Sequence, residues 1–286
     1  MRGRTDWRRE AGPFLALIGL PLAWFLLLIL VPLGAVWALS FAINTGVASI
    51  EVTGTLANYA RTLEPTYLGI LLKSLALAGL ATLVSLGLGF PVALAIAFAP
   101  PPWRTPLLVA VTLPFWTNLL IRTYALMAVL RDEGLVNRVV AALAPDLAPL
   151  PLLYHDVAVV VGLVYVHLPF MVLPIFAALD RMDRSLIEAS LDLGAGPLAT
   201  IRHVVLPLAG PGIRAGVLLT FVPALGSYLV PDLLGGPGSQ MIANVIERQF
   251  RRADDWPFGA ALAFVLVYLT LLALALLAPR RPAARA

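Results

Sequence analysis

The residues able to do chemistry in this sequence are few and scattered. Acid–base or metal chemistry needs clustered histidines and carboxylates. Here His155, His167 and His203 lie far apart, no His-Glu-x-x-His run occurs, and no carboxylate pair falls inside an apolar block at helical spacing. The absence of cysteine removes thiol nucleophiles, disulfides and thiolate metal sites. No glycine-rich loop ends in Lys-Ser or Lys-Thr, so the chain is not expected to hold ATP in such a cradle. An enzyme is therefore not expected, and what remains is chemistry of contact. Residues 180–212 intersperse Asp180, Arg181, Asp183, Arg184, Glu188, Asp192, Arg202 and His203 with Met182, Leu186, Ile187, Leu191, Leu193 and Leu198, several at helical spacing. Leu186, Ile187 and Ser190 would share one helical face, and Gly194-Ala195-Gly196-Pro197 would break the helix. Ala189-Ser190 with Gly194 and Gly196 would let another backbone approach closely. From the residues alone, such a segment either lies on a membrane surface or docks a partner.

The elements that must position this segment are apolar. AVILMFWYC fill 60% of the 286 positions and Asp, Glu, Lys and Arg 13%, against roughly 45–50% and 25% in soluble domains. Six blocks reach the length of a bilayer crossing: Phe14 to Phe41, Leu68 to Phe98, Pro106 to Leu130, Val157 to Leu179, Ile213 to Val230 and Phe258 to Leu277. Hydrocarbon offers no hydrogen-bond partners, so long blocks of this kind must be helices. The expected fold is all-α, a polytopic membrane protein with six transmembrane helices. No repeat, low-complexity tract or soluble core interrupts it, so residues 14–278 read as one membrane domain between an arm at 1–13 and a tail at 279–286.

Lysine and arginine near span ends are retained in the cytoplasm. Six spans put both termini on one side, which collects eleven arginines (Arg2, Arg4, Arg8, Arg9, Arg104, Arg181, Arg184, Arg202, Arg280, Arg281 and Arg285). The other side has six, Arg61, Arg131, Arg138, Arg248, Arg251 and Arg252. Both termini and the 180–212 segment are thus expected in the cytoplasm. The run from Phe14 far exceeds the roughly 7–15 residues of a signal core, so it is expected to stay as a signal-anchor helix. The net charge of +4 is explained by arginine-rich span flanks, and no nucleic-acid partner is expected.

Glu188-Ala189-Ser190, three residues, Gly194, nine residues, Val204, one residue and Leu206-Pro207 resembles the cytoplasmic signature of permeases of ATP-binding-cassette (ABC) importers. Ser190 stands where that pattern has Ala, and Val204 where it has Ile. The resemblance implies a type I ABC-importer permease fold in which the segment is a coupling helix, docked in a cleft of an ABC ATPase dimer. Gly194 would permit the turn and Glu188 would meet a basic partner group. Pro207 and Pro211 would deny a continuous helix between this element and the fifth span, leaving a rigid elbow. No cofactor bound by this chain is implied; ATP and Mg would be used by the partner ATPase. From about residue 70 to 278 the chain is also similar to the spermidine/putrescine permease subfamily. The similarity rests on Pro114-Phe115-Trp116-Thr117-Asn118-Leu119-Leu120-Ile121-Arg122-Thr123-Tyr124, Gly162-Leu163-Val164-Tyr165, Leu168-Pro169-Phe170-Met171-Val172 and Asp255-Trp256-Pro257-Phe258-Gly259-Ala260. It is most similar to the first of the two permease subunits. That implies a bacterial inner-membrane location, a second permease subunit as heterodimer partner and an extracytoplasmic solute-binding protein. Permeases for ferric iron, sulfate, molybdate or phosphonate share the signature, so another solute is the rival reading, followed by a passive channel.

A polyamine is an extended cation, and a path for one should offer carboxylates at its mouth and aromatic faces or carbonyls within. Asp132, Glu133, Asp232, Glu247, Asp254 and Asp255 fall in outer connections, with Asp232 foremost because it directly follows the fifth span. Trp116, Tyr124 and Tyr228 are the aromatic candidates, and Pro223 would free a backbone carbonyl. Arg122 would repel a cation and is expected to pair with a carboxylate, while Lys73 and Arg214 would snorkel. His167 reads as a packing residue, and Gly79, Gly87 and Gly89 as points of close helix approach.

Overall fold

A computed structural model describes residues 11–46, 49–147 and 149–277. The expected tail at 279–286 and all but residues 11–13 of the expected arm lie outside the described residues. Helix α1 spans Ala11–Leu39 and runs through Pro21 and Pro32. A hairpin follows, β1 (Ala42–Gly46) antiparallel to β2 (Ser49–Val52) with Ala42 opposite Val52. This is a small exception to the all-α expectation. It lies in a connection outside the apolar blocks, where Thr45 Oγ1 donates to the Ser49 carbonyl and closes the turn. Helix α2 (Ala57–Thr62) leads into α3 (Pro65–Phe98), which starts on a proline whose missing N–H costs nothing at that position. The 34 residues of α3 make a helix about 51 Å long, more than a bilayer core requires.

The third apolar block is not one helix. It divides into α4 (Pro101–Thr112), a tight turn at Leu113–Trp116 and α5 (Leu119–Leu130), and Pro101–Trp116 is bent by 96° against Leu119–Leu143, the stretch that α5 opens. Pro114 opens that turn and Thr117 is extended, so the helical ladder stops; Asn118 restarts it by accepting from the Leu120 N–H at 2.8 Å. Helix α6 (Leu135–Leu143) is short and α7 (Asp156–Asp180) spans as expected within one residue of each end. Helix α8 (Ser185–Asp192) and α9 (Pro197–Thr200) then carry the segment singled out above.

The expected elbow at Pro207 and Pro211 is absent. Helix α9 continues through a wide turn at Ile201–Val205 into α10 (Leu206–Leu225), and together Pro197–Leu225 form one span. In the wide turn the Leu206 N–H reaches back to the Ile201 carbonyl, one residue further than in an α-helix, which accommodates a proline near the start of α10. The fifth span therefore begins well before Ile213 and ends at Leu225; Val230 belongs to a separate helix, α11 (Leu229–Leu234). Helices α12 (Ile242–Arg251) and α13 (Trp256–Leu277) complete the chain. Among the described residues, five helical spans are long and apolar enough to cross a membrane, and the bent pair that begins with α4 and α5 is a further candidate.

Helices α3, α7 and α10 form the centre. One core cluster holds Leu77, Ala81, Val159, Leu163 and Leu225, and a second, nearer α8, holds Ala93, Ile96, Met171, Ile175, Val205 and Ala209. Lipid tails are as apolar as leucine, so the helices associate through close packing of small residues. A Cβ on Gly212 would lie 2.5 Å from the Pro174 carbonyl oxygen, and one on Gly216 would lie 2.8 Å from Met171 Sδ. Gly89 meets Met171 in the same way at 2.9 Å, whereas Gly79 and Gly87 face open space. Helix α1 is peripheral, with none of its span buried, and is tied on by a 3.0 Å bond from Trp37 Nε1 to the Tyr268 hydroxyl.

Candidate functional site

Glu188, Ala189 and Ser190 sit in the middle of α8, at the end of the molecule where α3 gives way to α4 and α7 gives way to α8. Asp183 prepares the helix start: the Ser185 backbone N–H donates to its Oδ1 at 3.0 Å and holds this carboxyl below the usual carboxylate range. Gly194 stops the helix. Its φ of +82° is left-handed, and its N–H reaches the Leu191 carbonyl while the Ala195 N–H reaches that of Ser190. Those paired bonds satisfy the last carbonyls of α8 and turn the chain sharply into α9. The expected common face of Leu186, Ile187 and Ser190 is split. Ile187 packs onto the second core cluster and Ser190 Oγ lies 3.0 Å from Thr200 Oγ1, but Leu186 is exposed. Adjacent residues diverge by about 100° on a helix, and only one of the two can face inward.

The outward surface of this end is apolar with a charged centre. Leu193 and Leu198 are 88% and 79% exposed, flanking the exposed Glu188 and Ala189. Val204 is half-buried in the wide turn, and Leu206 and Pro207 are exposed at the start of α10. Arg104 on α4 donates to the Ala97 carbonyl at 2.6 Å and pairs with Asp180 at 2.7 Å. Arg184 donates to the same carbonyl and lies over the Phe98 ring. The α3–α4 turn, the end of α7 and the start of α8 are thereby fixed together, so a load on α8 is felt by two spans.

At the opposite end are two cavities that meet at Tyr154. One, about 290 Å³, is lined by Asp232 with Tyr154, Pro231, Gly235, Gly236, Pro237, Gln240 and Asn244. The other, about 520 Å³, is lined by Arg131, Asp132, Glu133, Pro151, Leu153, Tyr154 and His155. Asn244 Nδ2 donates to the Tyr228 carbonyl, which ties α12 to the start of α11 beside Asp232. Asp255 is not part of this group. It pairs with Arg61 at 2.7 Å, and the Arg61 guanidinium lies 3.9 Å from the centre of the Phe258 ring.

Pro223 and Asp232 are not brought together: Pro223 lines an apolar groove with Leu219, Val222 and Leu271, whose hydroxyl Thr270 is already bonded to the Val267 carbonyl. Trp116 and Tyr124 lie at the break in the third span, 87% and 54% exposed. His167 is buried there as a packing residue, donating from Nδ1 to the Leu163 carbonyl. Arg122 departs from expectation. It is buried, its Nε has no acceptor, and among the described residues no carboxylate lies within ion-pair distance; its ring neighbour is Phe115 at 6.0 Å.

Residue types missed one feature altogether. Lys73 does not merely snorkel: it pairs with Asp156 at 2.8 Å and donates to the Gly238 carbonyl at 2.6 Å, joining α3, α7 and the loop beside the smaller cavity. Partners 83 and 165 positions apart leave no local pattern, and only Asp156 at the head of an apolar block hinted at it.

The sequence profile of the family described as binding-protein-dependent transport system inner membrane component matches residues 13–280. The spermidine/putrescine transport system permease protein PotB of Escherichia coli (strain K12) is 41% identical over 243 residues, 85% of this chain and 88% of that protein. PotB of Haemophilus influenzae is 38% identical over 247 residues, 86% of each chain. In three dimensions the chain is similar to one in the crystal structure of a bacterial ABC transporter involved in the import of the acidic polysaccharide alginate. The TM-score is 0.74 at 17% identity, over 95% of this chain and 96% of that one, a likeness of fold.

Proposed function

We propose, from the fact that this chain belongs to the binding-protein-dependent transport system inner membrane component family, that it carries polyamines, spermidine or putrescine, across the membrane. It is a multi-pass inner-membrane permease subunit of an ABC importer, a transport component without catalysis of its own. The observation that carries the substrate class is the 41% identity to PotB along 85% of the chain. Asp232 beside the cavity at the end away from α8 supports it, because a carboxylate at the mouth is what a polycation needs.

In this reading the bent α4–α5 pair counts as one crossing, giving six spans in a type I importer fold over 14–278, with both termini and α8 in the cytoplasm. Glu188, Ala189, Ser190, Gly194, Val204, Leu206 and Pro207 form the surface that an ABC ATPase dimer, the user of ATP and Mg, grips. Asp232, Tyr228, Trp116, Tyr124 and Pro223 are the pathway candidates, and Asp232 has the strongest geometric support. A second permease subunit completes the channel, and an extracytoplasmic solute-binding protein delivers the solute. An anionic solute such as a phosphonate is the second reading, favoured by one observation, the buried Arg122 cation. Proteoliposomes holding the complete complex separate the two. ATP-dependent uptake of labelled spermidine or putrescine, and not of phosphonate, sulfate or ferric iron, is expected; ATP-dependent uptake of only one of the latter overturns the polyamine assignment.

A further inference from the structure

Arg122 lies at mid-depth in the molecule. Its guanidinium faces Phe115, whose ring meets Phe170 edge-on at 5.2 Å, and Phe170 is near the middle of α7. A cation held there without an anion is costly. The carboxylates at the two ends of α7 are engaged elsewhere, Asp156 with Lys73 and Asp180 with Arg104. Lipid phosphates lie at the membrane faces, too far from this depth to serve. Arg122 also stands in the first turn of α5, a helix of 12 residues, where the helix dipole adds to the positive potential although Asn118 already accepts from the Leu120 and Arg122 N–H groups. The broken third span thus presents two independent attractions for an anion, a buried guanidinium with an unpartnered Nε and a helix start. Beside them Ile121 and Trp116 are 68% and 87% exposed, an apolar face with nothing from this chain upon it.

We propose that Arg122 and the start of α5 receive a carboxylate side chain of the second permease subunit, locking the two subunits together at mid-membrane. The inference rests on the heterodimeric reading above. A cationic solute is the wrong occupant because a fixed cation repels it, and a carboxylate from the neighbouring subunit offers the planar pair of oxygens that a guanidinium binds best. The lock also gives the break in the third span a purpose, since a continuous helix would have no N-terminal end at this depth.

The test uses the complete importer, with an affinity tag on this chain and the co-purified second permease quantified. Arg122→Met and Arg122→Glu are expected to lower that ratio about tenfold while the tagged chain stays in the membrane at its usual level, because a buried anion would be left unpaired. Arg122→Lys, which keeps the charge, is expected to retain most of it. Changing the intramembrane Asp and Glu residues of the second permease to Arg one at a time, against Arg122→Glu, is expected to restore the ratio for one of them. An unchanged ratio in Arg122→Met and Arg122→Glu, or a loss that no reversal restores, overturns the inference. The readout is assembly and not uptake, so a wrong polyamine assignment leaves it intact. A wild-type chain that co-purifies with no second permease sinks the heterodimer and this lock together.

Discussion

Gly194 ends α8 in a left-handed conformation, with open space where a side chain would stand. The backbone and not a neighbour therefore forbids substitution, at a cost of about 1–2 kcal/mol for an ordinary residue and less for asparagine. Gly194→Asn is expected to keep ATP-dependent uptake within about twofold. Gly194→Val should lower it by about tenfold at unchanged membrane level, since the turn that presents Glu188 is lost. Equal uptake by both variants would remove α8 from the coupling role. At the other end, Asp232→Asn is expected to raise the KM for polyamine about tenfold, roughly 1.4 kcal/mol, with basal ATP hydrolysis unchanged. A KM that stays put would place the solute elsewhere. The signature from Glu188 to Pro207 was legible because it is local, a set of residue types at fixed spacing. Arg122 was legible as an anomaly but its surroundings were not, and the Lys73–Asp156 pair had only the place of Asp156 at the head of an apolar block to suggest it, because partners far apart in sequence leave no local pattern.

At the scale of elements, the contact of α7 with α10 rests on two glycines. A side chain at Gly212 would strike the Pro174 backbone, so Gly212→Leu should cost about 1–3 kcal/mol through overpacking and lower the unfolding midpoint in detergent by several degrees. Gly210, two residues away with open space about it, should accept alanine without loss. The Arg104–Asp180 pair is partly exposed, at 29% and 39%, and Asp180→Asn should cost at most about 1 kcal/mol of stability. Block length and hydropathy located α1, α3, α7 and α13 to within a few residues, since each is an uninterrupted apolar run. They failed where backbone hydrogen bonding decides. The third block is apolar throughout yet breaks at Pro114–Thr117, and the fifth continues through Pro207 because a wide turn accommodates the proline.

The whole molecule is asymmetric, with the exposed apolar and charged surface around α8 at one end, two cavities lined in part by carboxylates at the other, and a tightly packed α3–α7–α10 centre between. The arginine count predicts its orientation. A reporter fused to the C-terminus is expected to be active only in the cytoplasm, and activity outside would invert every assignment of surface to partner. The proposed coupling role requires that ATP-driven motion of α8 be passed mechanically to the spans that flank the cavities, through the ties of Arg104 and Arg184 to the Ala97 carbonyl. The most direct test of that account measures spermidine or putrescine inside proteoliposomes carrying the complete importer and loaded binding protein, with ATP on the α8 side or without it. Accumulation above the outside concentration with ATP, and none without it, is the predicted result. Equal flux in both cases, levelling at the outside concentration, would make the chain a passive channel and contradict the account.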